Sequence, residues 1–526
     1  MGAFPSPSAE TWTLLAACGA LLLLYGIWPY NLFKKLGIPG PRPLPFIGTF
    51  LEYRKGLWQF DLECFKKYGK TWGIYEGRQP ILTTLDPVLI KAVLVKEFYT
   101  LFTNRRNFGL NGGLDSGLTI AEDETWKRVR TVISPTFTSG KLKEMFPLIR
   151  RHGDLLMRNI GKKVARGEAV DMKAMFGAYS LDVVTSTSFG VDTDSINNPE
   201  DVLLRRIKKL MSFSFFSPLF FLIVMFPCLV PLLERMKVTL MPKKDLDFFV
   251  NLTQRLKEER QASGRRDRVD FLQLMMDSQA TASGDAGRAD PSPKALTDIE
   301  ISAQAIIFIF AGYETTSSTL SFIAYNLATH PEVQEKLQEE IEAAFPDKAE
   351  PTYEALFQME YLDMVVNETL RLFPPVGRLE RVCKKSAEIN GVAIPQGTAV
   401  IVPTYVLHRD PEQWPEPEEF RPERTSDVPP ALISERLCAS CVDTIVKIVR
   451  TFAQEPAACV QTGRSSQGAG SSPIAPCAQN LISCVQESDT KAQLIAAATL
   501  RGLWPDIKSK ARGMRAWGQT NPQQEG

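Results

Sequence analysis

The chain has 526 residues, enough for one large domain or two or three ordinary ones, and its 44% apolar and 23% charged content is that of a globular protein with a core. With 61 basic and 60 acidic residues it is almost charge-balanced, which excludes an electrostatic footprint for nucleic acid. Its nine cysteines, five of them after residue 430, lack the dense spacing of a secreted disulfide scaffold.

From Trp12 to Trp28 the chain is almost wholly apolar and carries no charge. A bilayer span needs about 20 such residues, and tryptophans at both ends with Tyr25 and Tyr30 suit the two water interfaces. Lys34 and Lys35 follow while only Glu10 precedes, so the positive-inside bias places the body on the cytoplasmic side. A basic leading segment and a clear cleavage site, the marks of a removed signal peptide, are missing, and residues 1–36 read as an uncleaved anchor. Gly37-Ile38-Pro39-Gly40-Pro41-Arg42-Pro43-Leu44-Pro45 then stiffens the link to the body.

Met211 to Leu233 is again apolar, but Pro218, Pro227 and Pro231 interrupt it. It reads as a surface that dips into the membrane or roofs a pocket rather than as a second span. Ser278 to Pro293, rich in Ser, Gly, Ala and Asp, reads as a surface loop. Thr297 and Glu300 form a capping box, and the run from Ala305 to Phe310 predicts a helix buried on all sides. That helix meets Ala311-Gly312-Tyr313-Glu314-Thr315-Thr316, residues a buried helix normally avoids. Gly312 lowers helix propensity, and Thr315 and Thr316 can bond back to carbonyls four residues earlier. Small residues here also suit the close approach of another helix. Pro331 restarts a charged, amphipathic helix through Glu342, and Glu368 and Arg371 share a helix face before Pro374-Pro375. Gly391 to Pro395 and Thr398 to Val402 read as strands around a turn. The fold class is mostly α with a small β part.

The hexapeptide 311–316, Glu368-Thr369-Leu370-Arg371, Phe420-Arg421-Pro422-Glu423-Arg424, Trp126-Lys127-Arg128-Val129-Arg130 and Asn104-Arg105-Arg106-Asn107-Phe108 stand in one consistent order. Together with the proline-rich link they resemble the cytochrome P-450 family of haem-thiolate monooxygenases, closest to its family three, subfamily A, over residues 1–424. The resemblance implies the P-450 fold behind an N-terminal transmembrane helix, with residues 37–424 as its body. It implies haem b, with Arg105, Trp126, Arg130 and Arg381 holding the propionates. Glu314 and Thr315 would organise the water that supplies protons to the chemistry at the iron, and Glu368, Arg371 and Arg424 would lock the fold beside the haem. Pocket candidates are Phe108, Phe213, Phe215, Ile307, Phe310 and Ala311. The family oxidises lipophilic steroids, drugs and other xenobiotics at the endoplasmic reticulum membrane. Its electrons come from NADPH through NADPH-cytochrome P-450 reductase, with cytochrome b5 as a second donor.

The family holds iron through a cysteine in a Phe-x-x-Gly-x-Arg-x-Cys-x-Gly loop, and the sequence after Arg424 contains none, so no metal ligand is identifiable. Residues 425–526 are unrelated to the family and read as an atypical, partly disordered tail. Gly463 to Pro476 is the linker-like part, and Val442, Ile445, Val449 and Phe452 have helical spacing. Cys438 and Cys441 are the nearest thiols, but no second pair accompanies them at metal-site spacing. The expectation is a chain deficient in haem and poor in activity. The alternative is a non-catalytic, membrane-anchored splice or frameshift variant.

Overall fold

The structure is a computed structural model that describes residues 8–212, 217–263, 270–283, 295–348, 351–356 and 358–425. Phe213 and Phe215, the stretch 284–293, and everything beyond Thr425 lie outside them. That last group includes Cys438, Cys441 and the segments 442–452 and 463–476. The described residues are mostly helical with a small β part, as the sequence suggests. They divide into two compact units, one of residues 8–110, 217–240 and 378–407, the other of 111–212, 241–377 and 408–425.

In the first unit, Ser8 caps a helix over Ala9–Ile27, accepting from the Thr11 amide. Of its residues only Gly26 is buried, so its apolar side chains are left for another medium; with the short turns that follow it is long and apolar enough to cross a membrane. Its end is docked. The Tyr30 hydroxyl reaches the carbonyls of Leu44 at 2.8 Å and Gly77 at 3.2 Å, and Phe33 lies flat on Gly73, where a Cβ would sit 2.3 Å from the ring. The Gly73 amide also donates to Pro39 O at 2.8 Å, so the proline-rich link is pinned to the body along its length.

Strands β1 (Thr71–Glu76), β2 (Gln79–Thr84), β3 (Leu379–Val382) and β6 (Ala399–Val402) form one sheet in the order β1-β2-β6-β3. The β1–β2 hairpin is antiparallel, with Thr71 opposite Thr84; β2 runs parallel to β6, and β6 antiparallel to β3, with Arg381 opposite Val400. A separate hairpin joins β4 (Ala387–Ile389) to β5 (Val392–Ile394). The two strands expected around a turn near residue 396 are thus both strands, but they enter different sheets. Gly397, at φ +82°, donates to Cys383 O and redirects the chain towards β2. The proline-broken apolar stretch forms helices Pro218–Met225 and Pro227–Arg235, bent by 104°, with Leu222, Leu232 and Met236 exposed.

The second unit is built on the helix Asp298–Thr329, which opens with the expected capping box between Thr297 and Glu300. Twenty-two of its 32 residues are buried, and Ile306, Ile307, Ile309 and Phe310 pack with Leu181 and Val184 of the helix Met172–Phe189 and with Leu246 and Phe249 of Lys243–Ser263. A helix restarts at Pro331 as expected and runs to Ala344. Where a loop is expected from Ser278, the helix Phe271–Ser283 adds a further turn to Ser283, and the rest of the expected loop lies outside the described residues. Gln279 holds that turn, donating to Leu296 O and accepting from Lys257 at 2.9 Å.

Candidate functional site

The helix Asp298–Thr329 passes through 311–316 without a break, and each unusual residue there has a local reason. A Cβ on Gly312 would lie 2.3 Å from Val184 Cγ2, so the glycine lets the helix Met172–Phe189 approach. Ser180 on that helix donates to Gly312 O at 2.6 Å and lies 3.1 Å from Tyr313 O. Thr315 bonds back to Ala311 O at 2.5 Å and is buried. Thr316 is buried too, and its hydroxyl makes no hydrogen bond.

Glu314 points elsewhere. Its carboxylate accepts from Lys173 Nζ at 2.9 Å and from Ser318 Oγ at 3.1 Å, and the same ammonium donates to Ser317 at 2.9 Å and Ser318 at 2.7 Å. Consecutive helical residues lie about 100° apart around the axis, at 3.6 residues per turn. The acid therefore lies at the edge of the unit, 23% exposed, while Thr315 is in its core. Sequence reasoning missed Lys173 and Ser180, because neither carries a local motif.

Glu368, Arg371 and Arg424 come together in the second unit. Glu368 and Arg371 share a face of the helix Glu360–Leu372, where Arg371 grips the carboxylate through Nε at 2.7 Å and Nη2 at 2.9 Å. Its other three N–H bonds go to carbonyls of His408 at 2.8 Å, Pro417 at 2.7 Å and Glu419 at 3.1 Å, which uses all five guanidinium donors. Arg424 Nε reaches Glu368 at 3.3 Å, and its terminal nitrogens bind the carbonyls of Pro415 and Glu416. The Arg421 amide adds a donor to Glu368 at 3.0 Å. His408 was not foreseen. Its Nδ1 lies 3.2 Å from Arg371 O, which can only accept, so Nδ1 carries the proton. Burial, with Arg371 and Arg409 beside it, pulls its pKa down to about 3.

The expected propionate donors fall in both units. In the first, Asn104 O accepts from the Val382 amide at 2.8 Å, which sets the segments bearing Arg105 and Arg381 side by side. Both guanidiniums are buried, Arg105 at 8% and Arg381 at 1% exposure. Between them Arg106, also unforeseen, donates to Glu76 at 2.7 Å and Glu380 at 2.5 Å. Burial pushes the Glu76 carboxyl up, but Arg106 and Arg378 outweigh it and hold the group below its usual range. In the second unit Trp126 and Arg130, four residues apart, share a face of the helix Asp123–Ile133, with Trp126 buried. Of the pocket candidates, Ile307, Phe310 and Ala311 are buried in the core of the second unit. Phe108 packs on Phe220 in the first, ring centroids 5.2 Å apart.

Buried guanidinium and indole N–H groups are donors chemically suited to carboxylates such as haem propionates, and each unit carries such donors of its own, Arg105 and Arg381 in the first and Trp126 in the second. Iron ligation is a separate matter. Among the described residues no group of three or more His, Cys, Asp or Glu could hold a metal, and Cys18, Cys64, Cys228 and Cys383 are free thiols.

The sequence model of the family described as Cytochrome P450 matches residues 38–428. Cytochrome P450 3A29 of Sus scrofa is 59% identical over 426 residues, 81% of this chain and 84% of the relative. Cytochrome P450 3A12 of Canis lupus familiaris is 58% identical over the same shares, and cytochrome P450 3A5 of Homo sapiens 57%.

Proposed function

The chain belongs to the cytochrome P450 family, and from that premise we propose that residues 37–424 are the body of a monooxygenase for lipophilic steroids, drugs and other xenobiotics, deficient in haem as this chain stands. The observation that carries the reading is the contrast at Arg424. Up to that residue the Glu368–Arg371–Arg424 lock is complete, and past it the sequence has no Phe-x-x-Gly-x-Arg-x-Cys-x-Gly loop.

By the family's pattern Arg105, Arg381, Trp126 and Arg130 would donate to the propionates of haem b. A thiolate-ligated haem, when bound, supplies dioxygen activation, since the thiolate's electron donation favours O–O cleavage. The chain's own part is to hold protons and shape the pocket. The Thr315 hydroxyl is a buried polar group on the helix that carries the buried apolar residues Ile307, Phe310 and Ala311. Glu314, by the family's pattern the acid of that proton supply, lies at the outer edge of the unit, where Lys173 holds it. Electrons would come from NADPH-cytochrome P-450 reductase, with cytochrome b5 as a second donor.

Residues 1–36 are the single anchor in the endoplasmic reticulum membrane, with the body on the cytoplasmic side, and the bent apolar pair Pro218–Arg235 dips into the same bilayer. Residues 425–526 form a tail of separate character. The test is the haem content and reduced carbon-monoxide difference spectrum of this chain purified from membranes. No haem is the expected result and makes the chain a non-catalytic variant. A thiolate-type Soret band would overturn the deficiency and point to Cys438 or Cys441.

A further inference from the structure

We infer that the N-terminal helix is mechanically coupled to the loop carrying Phe108 through the bent helix pair, so that the anchor's seating in the bilayer holds that loop in place. The inference rests on reading Ala9–Ile27 as the anchor, but not on haem.

The first link is an aromatic clasp at the helix end. Tyr25 stacks on Phe226, the residue at the bend between Pro218–Met225 and Pro227–Arg235, with centroids 6.3 Å apart and planes within 6°. Phe46 closes the clasp at 6.5 Å from Tyr25 and 6.0 Å from Phe226, and its amide donates to Gly26 O at 3.2 Å. A Cβ on Gly26 would lie 2.9 Å from the Phe46 ring, so the glycine permits this seating. The Arg78 guanidinium covers the Tyr25 ring at 3.6 Å. The bend is thus gripped by the anchor and not merely lodged near it.

The second link runs from the bent pair to the loop. Phe108 packs on Phe220, and Val230 and Glu234 lie against Gly109. Glu234 Oε1 accepts from the Leu110 amide at 3.2 Å, and Leu110 O accepts from Leu240 N at 3.0 Å. Leu110 has φ +56°, a left-handed conformation that a leucine adopts only when its surroundings impose it. Both of its backbone bonds named here come from the segment 217–240. Loosening that segment lets Leu110 relax and frees Phe108, two residues away.

Hydrogen exchange of the full chain in phosphatidylcholine nanodiscs tests this. Tyr25→Ala and Phe226→Ala are each expected to speed exchange at 107–112 by about two- to tenfold, the range of one lost aromatic pair, with 172–189 unchanged. Tyr25→Phe keeps the ring and restores protection, and Glu234→Ala speeds Leu110 without altering 20–35. The inference fails if 218–235 loosens while 107–112 does not. It fails equally if exchange rises across 172–189, because the effect is then general destabilisation. An unchanged pattern in a chain shown not to span the bilayer would instead remove the anchor reading itself.

Discussion

At the scale of single residues, the most consequential group is one that no motif announced. His408 is buried between two arginines, with its proton fixed on Nδ1 and its pKa near 3. The unfolded chain takes up a proton on this ring below about pH 6.5 while the folded chain does not, so stability falls as pH falls. The loss should approach about 1.4 kcal/mol per pH unit between about 6 and 4, and His408→Gln should flatten that part of a urea-unfolding pH profile. A His408 slope equal to that of the variant would place the ring in solvent. Residue-scale legibility tracks sequence distance. Glu368 and Arg371 were readable because three residues on a helix share a face. Lys173 was not, because its partner Glu314 is 141 residues away and a lone lysine carries no pattern. Arg424 was reached only through family resemblance.

At the scale of elements, the meeting of the helices Asp298–Thr329 and Met172–Phe189 depends on Gly312. Alanine is the better helix former by about 1 kcal/mol, so Gly312→Ala would stabilise an isolated helix. Here the added methyl meets Val184, a β-branched side chain stiff at χ1, and the variant should instead lose about 1–2 kcal/mol. Combining it with Val184→Ala should recover part of that loss in a double-mutant cycle of urea midpoints. Strict additivity would show that the two residues do not touch. The central helix was legible at both ends, from the capping box at Thr297 and the restart at Pro331, because caps and prolines act locally. The sheet was not. β2 pairs with β6 more than 300 residues along the chain, with Ile81 opposite Ala399, and local alternation holds no record of such a partner.

At the scale of the molecule, the N-terminal apolar segment and the body overlap in sequence. Residues 1–36 form an apparent separate segment, yet Tyr30 and Phe33 pack on Tyr75, with Phe33 buried at 4% exposure. A chain beginning at Tyr25 should keep the stability of the body. A chain beginning at Gly37 should lose at least about 2–3 kcal/mol, the burial of one phenylalanine, in urea unfolding in detergent. Equal midpoints would make the docked end an independent segment. Composition located the apolar helix but could not tell where it becomes core, because both use the same apolar and aromatic residues.

The closure of Arg371 also has a temporal side. Among the described residues, the partners of its five bonds and of those of Arg424 all precede Arg424, so during synthesis the corner can form while later residues are still being added. Translation proceeds at about 5–20 residues per second, slow against helix formation in about 0.1–1 μs and the collapse of a chain of about 100 residues in about 10–100 μs. The residues after Thr425 are therefore synthesised after every described partner of that corner. A ribosome-arrested chain extended far enough past Arg424 to clear the exit tunnel should already show that region protected from protease.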